Sequence, residues 1–216
     1  MTPEAAATLP VTTRLVLAAG MPRSGSTAVF NLARLLLESQ RRPLTSGWID
    51  DVTEPVQAAL LLKVHEWHPA LAQRADLVLT SHRDLRAVAR SLGAVGWLWP
   101  GDEAFDHLSH LVQVHDRWSA VAALDLRYES MVQDWQATTR KVARAVGIEP
   151  PRTEMETIAQ QVAQMQAVVP ADRDYDPVTL MHRGHRHEDR GGTAPLPIED
   201  EIHRRFSSWQ EGHRYT

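Results

Sequence analysis

Residues 14–27, RLVLAAGMPRSGST, constrain this chain more than any other stretch. A strand-forming run (Leu15, Val16, Leu17, Ala18, Ala19) passes directly into a loop bracketed by Gly20 and Gly25, and an apolar helix is predicted over 28–40. Strand, glycine-bracketed loop and helix, in that order, aim successive backbone N–H groups and a helix N-terminus at an anion. Gly20 and Gly25 supply the backbone freedom for a tight turn and close approach. Ser24, Ser26 and Thr27 add hydroxyl donors, and Arg23 adds a fixed charge on a planar fork of donors. The stretch reads as an anion-binding loop. Its spacing fits G-x-x-x-x-G-K-[ST] except at Ser26, where nucleotide hydrolases carry the lysine that reaches the terminal phosphates. No strand ends in an aspartate placed to hold Mg²⁺ in the usual way. Both features argue against ATP or GTP hydrolysis, and the cation has moved inside the loop, to Arg23.

The rest of the chain is expected to build one α/β domain, 14–216, behind a short leader, 1–13, that lacks the pattern of a signal peptide. A net charge of −4 gives no electrostatic reason to expect a nucleic-acid partner. With no cysteine, a disulfide framework and a thiolate metal site are excluded, and a reducing cytoplasm is the expected compartment. The apolar stretches are too short and too interrupted to span a bilayer. Four apolar runs, 15–19, 60–65, 77–81 and 123–128, are predicted as strands buried on both faces. Helices are predicted over 69–74, 85–92, 103–122, 130–146, 154–166 and 199–210, with a polar loop at 171–197. Such alternation implies a parallel sheet with helices on both sides. The loop 20–27, His65, the trio His82-Arg83-Asp84, and Tyr128-Glu129 all fall at carboxyl ends of the predicted strands, where open parallel sheets bind ligands.

Several of these segments carry chemistry of their own. Lys63 and His65 stand two apart on a strand and so share a face. A lysine beside a histidine lowers the proton affinity of the imidazole, which favours a neutral ring able to accept a proton; a strand-end histidine satisfied by hydrogen bonds is the plainer reading. Arg83, Arg86 and Arg90 could be a solvated helix face, or Arg83 could pair with a phosphate monoester together with Ser91. Trp97 and Trp99 either wall an acceptor site or cap the core. The segment HRGHRHEDRGG, 182–192, is cationic and glycine-rich, and its histidines lack the regular scaffold of a metal site.

PRSGST resembles the 5′-phosphosulfate loop of the sulfotransferases, usually PKSGTT or PRSGTT, and the likeness extends along the chain. Lys63-Val64-His65 resembles the family's K-T-H, in which the histidine is the general base and the lysine steadies the transferring group. RDLRAVARS resembles the 3′-phosphate segment RDPRDVAVS, with Arg83 and Ser91 in register and Leu85 and Ala87 departing from it. YESM resembles YEDL or YEDM, which implies that Tyr128 lies near the adenine. Arg183, with Gly184, falls where the family closes the nucleotide with a basic loop. The resemblance implies a three-layer α/β/α, P-loop-NTPase-like fold with 3′-phosphoadenosine 5′-phosphosulfate as donor and adenosine 3′,5′-bisphosphate as product. The implied reaction is in-line sulfuryl transfer to a hydroxyl or amine of a small molecule, with His65 as base, Arg23 and Lys63 offsetting charge, and no metal. Some relatives with arginine in the loop use a carboxylate base from the segment after the first helix, which here offers Asp50, Asp51 and Glu54. A kinase with a degenerate loop and a non-catalytic anion-binding module stand as rival readings.

Overall fold

The structure, a computed structural model, describes residues 14–52, 58–98, 101–182 and 196–215. Among them a five-stranded, all-parallel sheet runs in the order β2-β3-β1-β4-β5. Its strands are β1 (Arg14–Ala18), β2 (Leu44–Trp48), β3 (Ala59–Lys63), β4 (Leu77–His82) and β5 (Leu124–Arg127). The central β1 has β3 on one side and β4 on the other. From β1 the chain runs to the β2 edge, returns through β3 and then crosses to β4 and β5. The connections leaving β1 and β4 thus go opposite ways, and the crevice at their carboxyl ends is the topological switch point where such sheets take ligands.

Strand alternation divides the residues between two layers. Val16, Ala18, Leu61, Leu77, Leu79 and Leu126 face α1 (Ser26–Ser39), α6 (Trp135–Val146) and α7 (Arg152–Gln164). Leu15, Leu17, Leu60, Leu62 and Val78 face α2 (Pro69–Arg74) and the Val114 and Trp118 side of α4 (Asp102–Ser119). A third cluster joins α3 (Leu85–Ala94), the start of α4 and Ile202 of α8 (Glu199–Arg205). The short α5 (Tyr128–Gln133) and α9 (Ser207–Gly212) complete the description. No helix among the described residues is long and apolar enough to cross a membrane.

The four expected strands are present, with small shifts at their ends, and β2 is an addition. LTSGW has no apolar run because β2 is an edge strand, only partly buried. The helix expected over 130–146 is two: Asp134 leaves the helical region (φ −145) and its carboxylate accepts from Ala137 N–H at 2.7 Å, capping α6. Tyr128 opens α5 rather than closing a strand. The leader 1–13 and most of the 182–192 segment lie outside the described residues. Asp134→Ala should cost about 1 kcal/mol, as lost N-caps do, measured as a fall in the denaturant midpoint at unchanged slope; full stability would show that the cap contributes nothing.

Candidate active site

From β1 the chain passes through residues 19–25 into α1, and the loop lies hard against β4. A Cβ at Gly20 would sit 2.3 Å from Ser81 Oγ and 2.8 Å from Ser26 Cβ, so only glycine permits this approach. Gly25 caps α1 in the left-handed region (φ 83), and a Cβ there would meet Met131 Cε at 2.6 Å and Tyr128 Cδ2 at 2.8 Å. Ser24 is completely buried, its hydroxyl shared with Met21 O (2.6 Å), Ser81 O (2.9 Å) and Ser81 Oγ (2.8 Å). That hydroxyl ties the loop to β4 instead of facing a ligand. Beside it Arg23 takes φ 62, a conformation that costs a non-glycine residue on the order of 1 kcal/mol.

Lys63 and His65 reach this loop from β3, on the α1 side of the sheet. The Lys63 ammonium is buried, donates to Thr27 Oγ1 at 2.6 Å and stands 5.3 Å from the centre of the Trp48 ring. Burial, reinforced by the charge of Arg23, pushes its pKa down to about 7. His65 Nδ1 lies 2.8 Å from Gly20 O. A carbonyl can only accept, so Nδ1 carries the proton and Nε2 is the basic nitrogen of the neutral ring. The Trp48 ring packs edge-on to the imidazole, with centroids 5.0 Å apart.

Two arginines complete the cationic surface. Arg23 Nε donates to Ser91 Oγ at 2.8 Å, and burial together with the nearby Arg83 charge lowers its pKa. Arg83 Nη1 donates to Arg23 O at 3.3 Å, its guanidinium lies 4.2 Å from the Tyr128 ring centre, and its Nε is buried without a hydrogen-bond partner among the described residues. Asp84, next in the chain, is committed elsewhere, to Arg86 at 2.7 Å and to the N-terminus of α3. The loop, Lys63, His65, Arg83, Ser91 and Tyr128 are thus brought together from five separate elements.

The alternative carboxylates are engaged: Asp50 accepts from Trp48 Nε1 at 3.2 Å, and Asp51 takes a short hydrogen bond from Tyr175, whose pKa that bond helps raise to about 12. Arg183, Trp99 and Glu54 lie outside the described residues. Trp97 is about half exposed (49%), 6.0 Å from the Arg23 guanidinium and edge-on to His182 at 5.5 Å. Trp48 and Tyr175 are neighbours that sequence reasoning did not assign to the site, and His182, the first residue of the segment 182–192, stands beside them. Asn31 of α1 donates to Thr179 O at 2.7 Å, holding their segment across the helix. Tyr175 and His182 then bridge to each other, and burial with the Lys63 and Arg23 charges lowers the His182 pKa.

A dianionic phosphate ester or phosphosulfate fits these residues. Three cations crowd the loop, the Arg83 Nε is buried without a partner among the described residues, and two glycines leave no Cβ in the cradle. Because the Lys63 proton is held loosely before an anion arrives and firmly afterwards, binding at pH 8 should take up a proton. Calorimetry with adenosine 3′,5′-bisphosphate in buffers of different ionisation enthalpy should register an uptake approaching about one proton, with affinity falling as pH rises from 7 to 9. Lys63→Met should abolish the uptake; equal uptake in that variant would assign the proton elsewhere.

No family model and no curated protein sequence matches this chain. Solved structures do. Mouse sulfotransferase SULT7A1 complexed with PAP superposes with a TM-score of 0.64 at 14% identity, over 97% of this chain and 90% of that one. Retinol dehydratase with androsterone and the inactive cofactor PAP gives 0.56 at 14% identity over 94% and 81%. Retinol dehydratase with retinol and PAP gives 0.51 at 14% identity over 71% and 65%. With its parallel sheet, flanking helix layers and loop–helix cradle at the end of β1, the chain has the sulfotransferase fold.

Proposed function

We propose that this chain is a sulfotransferase that uses 3′-phosphoadenosine 5′-phosphosulfate as donor and a small molecule as acceptor. The reading is carried by one observation: Lys63 and His65 arrive from a separate strand, and both bond directly to the anion loop, at Thr27 and Gly20. Bound in the cradle, the donor would supply an activated sulfuryl group. Arg23, Thr27 and the N–H groups of Gly25 and Ser26 would hold its 5′ end, with Ser24 bracing the loop from behind. Arg83 and Ser91 would take the 3′-phosphate, Tyr128 would lie beside the adenine, and Arg183 is the proposed cover.

In this mechanism Lys63, protonated once the anion is present, and Arg23 offset the negative charge that develops on the sulfuryl and bridging oxygens. The Gly20 carbonyl fixes the His65 tautomer, so Nε2 receives the acceptor's proton as the acceptor oxygen takes the sulfuryl group in line with the departing phosphate. These fixed donors neutralise the leaving group, and the scheme invokes no metal. Trp97, His182 and Tyr175 form an aromatic side against which an acceptor would lie. The lack of cysteine suits the reducing cytoplasm we propose as its compartment.

His65→Ala should lower turnover by roughly 10²–10⁴-fold, the usual contribution of a positioned base, while adenosine 3′,5′-bisphosphate still raises the melting temperature. Unchanged turnover in that variant, with loss in Asp51→Asn, would move the base to the carboxylate. Mg²⁺-dependent ATP turnover would replace the reading with that of a kinase, and nucleotide binding without transfer to any acceptor in a metabolite extract would favour a non-catalytic module.

A further inference from the structure

On the opposite face of the sheet from the cradle, four polar side chains meet that the proposed transfer does not use. His82 ends β4 on the α4 side, Asp125 stands on neighbouring β5, His115 rises from α4, and His213 lies in the turn after α9. We propose that His82, Asp125 and His213, with His115 as fourth ligand, form a structural site for a divalent transition-metal ion, zinc in the first place, that fastens the C-terminal turn to the ends of β4 and β5.

One ligand atom from each of His82, Asp125 and His213 lies within 4.8 Å of the other two. His82 Nε2 is 3.8 Å and His115 Nε2 is 3.4 Å from Asp125 Oδ2. Ligand atoms of a tetrahedral zinc site with bonds of about 2.0–2.1 Å sit roughly 3.3 Å apart, so small side-chain rotations close these three around an ion, with His115 beside Asp125 as the further ligand we propose. On His82 and His213 the other ring nitrogen is occupied, as metal-bound histidines require. His82 Nδ1 meets the Tyr215 hydroxyl at 2.8 Å. His213 Nδ1 lies 2.8 Å from Trp209 O, and since a carbonyl only accepts, this nitrogen carries hydrogen and Nε2 offers its lone pair.

His115 supplies the independent sign. Its side chain is fully buried, Nδ1 has no hydrogen-bond partner among the described residues, and Nε2 has Asp125 Oδ2 as its one polar neighbour there, at 3.4 Å. A buried imidazole so loosely held is disfavoured unless something else engages it. A metal ion between Nε2 and Asp125 would engage that one nitrogen. Access is open, because the Asp125 side chain is 28% exposed and His213 is half-buried. The nearest charges are balanced among themselves: Arg127 lies on the Tyr215 ring and pairs with Glu129 at 3.3 Å, and Asp116 accepts from Trp209 Nε1 at 3.1 Å. Three imidazoles and one carboxylate suit zinc, and neither Mg²⁺ nor Ca²⁺, which prefer oxygen.

The test uses the full chain without a histidine tag, stripped by chelation. Zinc titrated against a chromogenic competitor should bind at one equivalent per chain and raise the melting temperature, while Mg²⁺ does neither. His213→Ala changes only a half-buried turn residue, and it should weaken zinc binding by at least about 10-fold, the least that disturbing even an outer partner costs. Because the histidines at 182, 185 and 187 could also bind zinc, their triple replacement by Ala is the control and should leave the tight equivalent in place. Loss of that equivalent in the triple variant, its retention in His213→Ala, or no stoichiometric binding by the parent chain would each overturn the proposal.

Discussion

Like charge held out of water sets the terms for the ligand edge of this protein. Arg83 disfavours the charged form of Arg23, and Arg23 does the same to Lys63, which burial has already penalised. A lysine pushed from 10.5 to about 7 carries on the order of 5 kcal/mol against its protonated form. The sign follows from proton counting. Between pH 7 and 10.5 the unfolded chain keeps the lysine proton that the folded chain has released, so the burden is full below 7 and disappears as pH rises through that window. Added to a left-handed Arg23, this makes the loop a region that the surrounding layers must hold in place. Ser24, completely buried and bonded three ways to the Met21 turn and β4, and Gly20, without which the loop could not approach β4, are the means. A dianion bound as proposed would offset this repulsion.

The same geometry explains why a lysine after the second glycine is dispensable. In this chain that position is Ser26, the first residue of α1, and the charge it would have provided comes from Lys63, whose ammonium ends on the neighbouring Thr27 hydroxyl. Supplying the cation from β3 has a consequence that a loop lysine would not have. Strand alternation places His65 on the same face two residues later, and its Nδ1 meets the Gly20 carbonyl. One strand end thereby brings both a charge and an oriented imidazole to the same loop.

Much of this was legible because strands buried on both faces announce themselves as apolar runs, and because their last residues must lie at one edge once the sheet is parallel. Leu15 to Ala19 and Leu77 to Ser81 are such runs. Of the residues beyond the second, Arg83 meets the loop as expected, whereas His82 turns to the opposite face and Asp84 is held by Arg86 and Gln210. What escaped has physical reasons. β2 is an edge strand whose residues, Leu44 to Trp48, need no continuous apolar character, so Trp48 was not placed beside Lys63 and His65. Asp134 breaks a helical pattern that reads as continuous because its apolar spacing carries across the break. Serine hydroxyls look alike in a sequence: Ser24 turns inward to the sheet while Ser91 meets Arg23, and only burial tells them apart. Tyr175 and His182 come to the site through Asn31, a contact across 148 residues of chain that no local pattern encodes.

The C-terminal turn is structurally tied to the arm that would hold the 3′-phosphate. Gln210 of α9 is fully buried; its Nε2 donates to Asp84 Oδ1 at 2.9 Å and its Oε1 accepts from Leu85 N–H at 3.3 Å. Asp84 also caps α3, the helix that carries Ser91. Three consecutive residues at the end of β4 therefore serve three ends: Ser81 holds the anion loop, His82 meets the C-terminal turn across the sheet, and Arg83 faces the cradle. Strand alternation prevents any one of them from doing its neighbour's work. Whatever fixes His82 from the α4 side also limits where Arg83 can stand, so the position of the cradle's outer cation depends on packing at the far end of the chain. Among the described residues Tyr128 and one carbonyl hold Arg83 on its own side, and the lasting constraint on its backbone comes from the strand end and from Gln210 behind it.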